Sequence, residues 1–158
     1  MIKNEIILDK IDWGILRLMQ DNARISNADI ARELHMAPSA VLERVKKLEQ
    51  KKVILQYTTR LNSSLLQQKL LAFVFIKTSE GFGCSAAGKI LAKMPEVQEV
   101  HHIAGEDCYL VKIRTADSVS LMDLMRNRFT KIAGILSTRT TIVLETVKEQ
   151  QQLVIPIK

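Results

Sequence analysis

Residues Ala37–Glu49, APSAVLERVKKLE, decide how the first third of this chain is read. Val41, Leu42, Val45 and Leu48 recur at helical spacing and form one apolar stripe. Pro38 suits a first helical position, where its missing N–H costs nothing. Ser39, Ala40, Glu43, Lys47 and Gln50 fall away from the stripe, with Arg44 on its flank. A face of that composition is either solvated surface or a surface that touches a partner. The neighbouring sequence chooses between these readings.

Upstream, Leu8, Ile11, Ile15 and Leu18 share one face of a helix expected from about Asp9 to Gln20. Trp13 falls on the opposite side, as though it packs on another domain or chain. Ser26 opens a second helix with Asp29 three residues on, a capping-box-like pattern, and that helix stops near His35. Downstream, VILQYTTRL (Val53–Leu61) is rich in β-formers and reads as a short extended segment. Three short helices, a tight turn over 34–38 and a β extension predict a winged helix-turn-helix.

The net charge of the chain is +6, and its distribution is uneven. Residues 1–42 hold five Lys/Arg against six Asp/Glu, whereas residues 43–60 hold six (Arg44, Lys46, Lys47, Lys51, Lys52, Arg60) against two. The excess is thus concentrated in and just after the third helix, where it suits a polyphosphate partner.

Residues 62–68, NSSLLQQ, read as a linker, and beyond them the pattern changes. KLLAFVFIKT (Lys69–Thr78) has strand length, and Ser85–Met94 reads as a helix ended by Pro95. VQEVHHI (Val97–Ile103) and CYLVKIRT (Cys108–Thr115) are strands joined by a turn through Ala104–Asp107. Ser118–Ile132 has helical apolar spacing before Gly134, and TRTTIVLETV (Thr138–Val147) is a final β-branched strand. The order β-α-β-β-α-β predicts an antiparallel, ferredoxin-like plait, so the fold class is α+β. The domains are then 1–61 and 69–158. Both helices cover one sheet face. The runs LLAFVFI and TIVL ask for burial on both faces, so a second copy is expected against the other, giving a dimer.

At 47% hydrophobic residues the chain can bury a core, yet it has no uncharged apolar run of membrane-spanning length. The charged start, MIKNEIILDKID, is unlike a signal peptide, and a cytoplasmic location is expected. Cys84 and Cys108 then read as reduced thiols. His101 and His102 are adjacent on a strand and face opposite sides, which disfavours a shared metal. No nucleophile–base pair, phosphate loop or metal-ligand spacing suggests an enzyme, although plaits also host catalysis. A sensor that does not bind DNA is a further alternative, against which the basic third helix argues.

Several segments together resemble the leucine-responsive regulatory protein/AsnC (Lrp/AsnC) family of transcription factors. They are Leu8-Asp9-x-x-Asp12-x-x-Ile15-Leu16, Ala23-Arg24-Ile25-Ser26, Ala31-x-x-Leu34 and Leu42-Glu43-Arg44-Val45-x-x-Leu48-Glu49. Ile54 and Tyr57 follow, then Gly105-Glu106, Tyr109-Leu110 and Thr138-x-Thr140. The resemblance implies a DNA-binding N-terminal domain. It also implies a C-terminal domain that dimerises, assembles into octamers of four dimers, and binds small molecules, usually free amino acids, with no cofactor.

On that reading Ser39, Ala40, Glu43, Arg44 and Lys47 would face the major groove. Glu43 could accept from cytosine N4, or simply pair with Lys47 one turn on, and Arg44 or Lys47 could address guanine. Lys51, Lys52 and Arg60 would sit by phosphates. Ala104, Gly105, Glu106, Asp107, Tyr109, Thr138 and Thr140 correspond to the family's effector region. Loop N–H groups would receive a carboxylate there, and Glu106 or Asp107 an ammonium group; a plain polar turn is the alternative. Three departures stand out. Ala37 replaces the usual Ser or Thr cap of the third helix, Lys52 the usual glycine after it, and Cys108 the usual Asp of the effector loop.

Overall fold

The computed structural model describes residues 6–79 and 86–156. The chain divides into two compact units, one running to Arg60 and rejoined by the chain from Glu149, the other Leu61–Lys148.

The first unit holds α1 (Lys10–Asp21), α2 (Asn27–Glu33) and α3 (Pro38–Gln50). Asp9 caps α1: its side chain accepts from the Asp12 N–H at 2.8 Å, and the Asp12 carboxylate accepts from the Asp9 N–H at 3.2 Å. Two orphan donors of the first turn are satisfied reciprocally. Ser26 caps α2 through the Asp29 N–H. Ile15, Ile30, Ala31, Val41, Val45 and Leu48 form the core between the helices. Trp13 is half-buried.

Helices α2 and α3 end the same way. His35 (φ +53°) and Lys52 (φ +56°) take the left-handed conformation. The Met36 N–H donates to Ala31 O and the Val53 N–H to Leu48 O, while His35 and Lys52 donate to Arg32 O and Glu49 O. Each is a Schellman motif, and Val53 packs back on the core containing Leu48.

The extended wing expected over Val53–Leu61 forms no strand. A β-prone segment needs a ladder partner, and this one starts by donating the Val53 and Ile54 N–H groups to Leu48 O. The Tyr57 hydroxyl then donates to Glu49 of α3 at 2.7 Å.

The second unit contains β1 (Leu70–Thr78), α4 (Ala86–Leu91), β2 (Val97–His102), β3 (Tyr109–Thr115), α5 (Ser118–Asn127), a 3-10 turn at Phe129–Lys131, and β4 (Ile135–Ile142). The sheet order β2-β3-β1-β4 with every pair antiparallel is the expected plait. Ala72, Val74 and Ile76 alternate into the core beside Tyr109, Val111 and Ile113, under Leu91, Leu121 and Leu124. Cys84 and Ser85 lie outside the described residues.

Two boundaries differ from the sequence reading. β4 begins at Ile135, ahead of Thr138, because the register shifts between Lys77 and Thr78 and pairs Thr78 with Ile135. It ends at Ile142, and Leu144 and Val147 are exposed. The C-terminal stretch from Glu149 belongs to the helical unit, not to the plait expected over 69–158. There the Gln20 side chain donates to Leu153 O at 2.7 Å and accepts from the Leu153 N–H at 2.9 Å.

Candidate nucleic-acid interface and ligand-binding domain

Helix α3 buries Val41, Val45 and Leu48 and exposes Ser39, Glu43, Lys46, Lys47 and Gln50. Ala40 is half-buried at the edge of that face, and Lys51, Lys52 and Arg60 are exposed beyond it. Leu42, placed in the apolar stripe by periodicity, is 40% exposed. Lys46 belongs with the exposed cations and is absent from the expected contacts; its helical phase, within about 20° of Ser39, is the available signal. Arg60 lies 3.8 Å from Glu149.

Arg44 behaves differently from the lysines. Its Nη1 donates to Asp9 Oδ2 at 2.7 Å and to Asp12 Oδ1 at 2.8 Å. The two carboxylates raise the guanidinium above its ordinary pKa, while the Asp12 N–H and then the Arg44 guanidinium hold Asp9 below the usual carboxylate value. The expected guanine reader is therefore engaged inside the domain. It forms part of a groove of about 320 Å³, with Leu8 and Asp12 on one side and Ala40, Glu43, Lys47 and Lys51 on the other.

Ala37 has the extended backbone of an N-cap (φ −77°, ψ 140°), but its side chain makes no cap hydrogen bond to the first turn of α3. Tyr57 shows the opposite situation. Burial, then the hydrogen bond to Glu49, pushes its hydroxyl up to about 12, so it stays a donor.

In the second unit the expected effector residues, among the described residues, divide between the β2–β3 turn and the two faces of the sheet. Gly105, at φ +147°, makes the turn between β2 and β3 with open space where a Cβ would stand. Asp107 is bonded by Arg139 Nη2 at 3.3 Å, and the Arg139 guanidinium lies 4.0 Å above the Phe75 ring. Arg139 pairs with Phe75 on the open sheet face, whereas Thr138 and Thr140 pair with the core residues Ile76 and Val74. Successive strand residues face opposite ways, so Asp107 and the two threonines serve different faces. Thr138 and Thr140 are exposed, as are Gly105 and Glu106, while Asp107 is half-buried. Ala104 stands beside Gly105, also exposed.

Tyr109 is 3% exposed and stacks on His102 at 5.1 Å between ring centroids, so in this chain it is a core residue and not an accessible contact. Its alternation with Val111 and Ile113 was the sequence signal for that. Cys108 is half-buried against the same core, and its Sγ receives the Thr78 N–H at 3.5 Å. The sequence reading missed Arg139 and Phe75. His101 bonds Glu99 at 3.1 Å, and no cluster able to hold a metal exists among the described residues. Among them, no helix is long and apolar enough to cross a membrane.

A helix-turn-helix with a cationic outer face, carried in one chain with a βαββαβ plait, defines a two-part DNA-binding regulator. Comparison with known proteins gives the same class. An AsnC-type helix-turn-helix domain matches residues 8–49, and an Lrp/AsnC ligand binding domain matches residues 71–153. The leucine-responsive regulatory proteins of Klebsiella pneumoniae and Escherichia coli K12 are each 35% identical over 150 residues, 94% of this chain and 92% of theirs. A feast or famine regulatory protein of Mycobacterium tuberculosis, solved with L-methionine, superposes with a TM-score of 0.87 at 31% identity, covering 95% of this chain and 100% of that one. A Neisseria meningitidis transcriptional regulator, also with L-methionine, gives 0.87 at 25% identity, covering 94% and 97%. The chain belongs to the Lrp/AsnC family of transcriptional regulators, whose members are not enzymes.

Proposed function

We propose that this regulator reads its operator with the exposed face of α3 and that a free amino acid, bound through the plait, modulates that reading. The observation that carries the DNA half is the division of α3 into a buried side (Val41, Val45, Leu48) and an exposed polar side. Ser39, Ala40, Glu43 and Lys47 lie toward the bases, where Glu43 meets a cytosine amino group and Lys47 a guanine. Lys46, Lys51, Lys52 and Arg60 neutralise phosphates and position the helix.

The effector half rests on the Gly105 turn, whose backbone is open to close approach, and on the L-methionine complexes of the two relatives. Ala104, Gly105 and Glu106 offer N–H groups and a carboxylate to an amino acid, and Thr138 and Thr140 offer hydroxyls from the exposed edge strand. The open sheet face, with Phe73 and Phe75 half-buried, is covered by a second copy. Dimers, four of which make an octamer, are the working assembly, and the cytoplasm is its compartment.

The test is fluorescence anisotropy on the DNA upstream of the protein's own coding region, across a salt series. Lys47→Ala is expected to weaken binding, and Lys52→Ala to reduce the slope of log K against log salt by about 0.9. Unchanged affinity and slope in both variants would remove α3 and its flank from the interface. A thermal-shift screen of the twenty amino acids, L-methionine included, tests the effector half.

A further inference from the structure

We infer that Arg44, with Asp9 and Asp12, is a positioning clasp that fixes the recognition helix against α1, and that it sets sequence discrimination without touching DNA. The inference rests on the proposed role of α3. Arg44 stands in the second turn of α3, yet its Nη1 reaches carboxylates 32 and 35 positions earlier in the chain. Its side chain is 32% exposed and that of Asp12 only 15%, so the Asp12 bond lies in the seam of the two helices, while Asp9, 52% exposed, closes the clasp from the rim. Both distances are those of charge-assisted hydrogen bonds.

The surroundings explain why α3 needs such a tie. Its far end is tied by the Schellman motif and by Tyr57 on Glu49, whereas Ala37 gives its start no side-chain cap, so the N-terminal half depends on contacts such as Arg44. Arg44 and Asp12 line the same groove as Ala40, Glu43, Lys47 and Lys51, so the tie acts on the turn of α3 that carries the residues proposed to face bases. A guanidinium shared by two carboxylates brings no net positive charge to the DNA. Arg44 therefore makes no counterion-releasing phosphate contact.

Charge and position make opposite predictions here, which gives a decisive experiment. Simple electrostatics says that deleting an aspartate beside the interface tightens DNA binding. The clasp says that it loosens specific binding. Asp9→Asn is the cleanest variant because Asn caps a helix as well as Asp does, so only the ion pair is lost. Asp12→Asn, Arg44→Met and Arg44→Lys complete the set, with Lys47→Ala alongside. Each is titrated against duplexes selected by the wild-type protein from a random pool and against a mixed-sequence duplex, across a salt series. Unfolding midpoints are measured so that only folded protein is compared.

The clasp predicts that the Asp9→Asn/Asp12→Asn double variant and Arg44→Met lose at least ten-fold in affinity for the selected duplexes. Binding to the mixed-sequence duplex changes less than three-fold, the salt slope stays at the wild-type value, and Arg44→Lys recovers part of the loss. Tighter binding by the aspartate variants overturns the inference. So does a slope reduced by about 0.9 in Arg44→Met, which makes Arg44 a phosphate contact. Wild-type discrimination in every clasp variant overturns it as well, leaving only a stabilising role. Failure of the underlying reading is seen separately: Lys47→Ala then keeps wild-type affinity and slope.

Discussion

A Cβ added to Gly88 would stand 2.8 Å from Cε1 of Tyr109, and 3.2 Å from Cζ of the same ring. Gly88 lies inside α4, where alanine ordinarily gains about 1 kcal/mol over glycine. Tyr109 cannot yield, because its ring is almost fully buried and stacked on His102. Forcing an extra carbon into a packed core costs about 1–3 kcal/mol, so the clash offsets and exceeds the propensity gain. Gly88→Ala is expected to lower stability by about 1 kcal/mol in urea unfolding. Gly14 provides the control. Its nearest neighbour is also at 2.8 Å, but that atom is Leu34 Cδ2, the far end of a half-buried flexible chain. Gly14→Ala should be close to neutral; equal losses in the two variants would show that the Tyr109 ring is no special obstacle.

Lys52 holds a left-handed backbone at the end of α3, a conformation that costs a side-chain-bearing residue about 1 kcal/mol. Lys52→Gly is therefore expected to raise stability by several tenths of a kcal/mol, part of the gain being offset by the freer unfolded chain. The same change deletes a cation from the proposed DNA flank. A more stable protein that binds DNA more weakly is the expected combination. Denaturation and anisotropy on one preparation read both, and a Lys52→Gly protein less stable than wild type would contradict the strain argument.

Ala37 already has the dihedrals of an N-cap and lacks only the oxygen. Ala37→Ser supplies an acceptor for an orphan N–H of the first turn of α3, a gain of about 1 kcal/mol. The thermal midpoint should rise, and it should rise less for Ala37→Gly, which adds no acceptor. Equal effects of serine and glycine would assign the gain to the backbone instead of the cap.

These sites differ in how far sequence reveals them. The turn at Lys52 and the missing cap at Ala37 were legible only against the Lrp/AsnC pattern, which places a glycine and a Ser or Thr at those two positions. The order of strands and helices in the plait was legible from local pattern, since Tyr109, Val111 and Ile113 alternate with strand period and LLAFVFI is an unbroken apolar run of strand length. The Arg44 clasp was not. Its partners are more than thirty residues away, and helical periodicity says which face a residue occupies but not what stands opposite. The scattering of the effector residues was hidden by register: Arg139 takes Asp107 on one face while its two threonine neighbours take the other. The wing failed as a strand because β propensity acts only through a partner, and Val53–Leu61 has none among the described residues.

Acid sensitivity follows from the caps. Asp117 caps α5 by accepting from the Ser120 N–H at 2.8 Å, and that bond holds its carboxyl below its ordinary 3.8. Asp9 is depressed in the same direction by the Asp12 N–H and by Arg44. A carboxyl whose folded pKa is depressed binds its proton more weakly in the fold than in the unfolded chain. Its stabilisation is therefore fully present above the unfolded value and is lost as pH falls through the folded one. Stability should be flat from pH 7 to about pH 5 as far as these groups are concerned, and should fall below about pH 4. Asp117→Asn keeps a good cap but has no proton to gain, so its urea midpoint should decline less steeply between pH 4 and about pH 2 than that of the wild type. The readout is the urea midpoint at about one-unit intervals. Parallel acid limbs in wild type and variant would mean that Asp117 is not depressed in the folded protein, and would leave Asp9 and other groups to account for the acid limb.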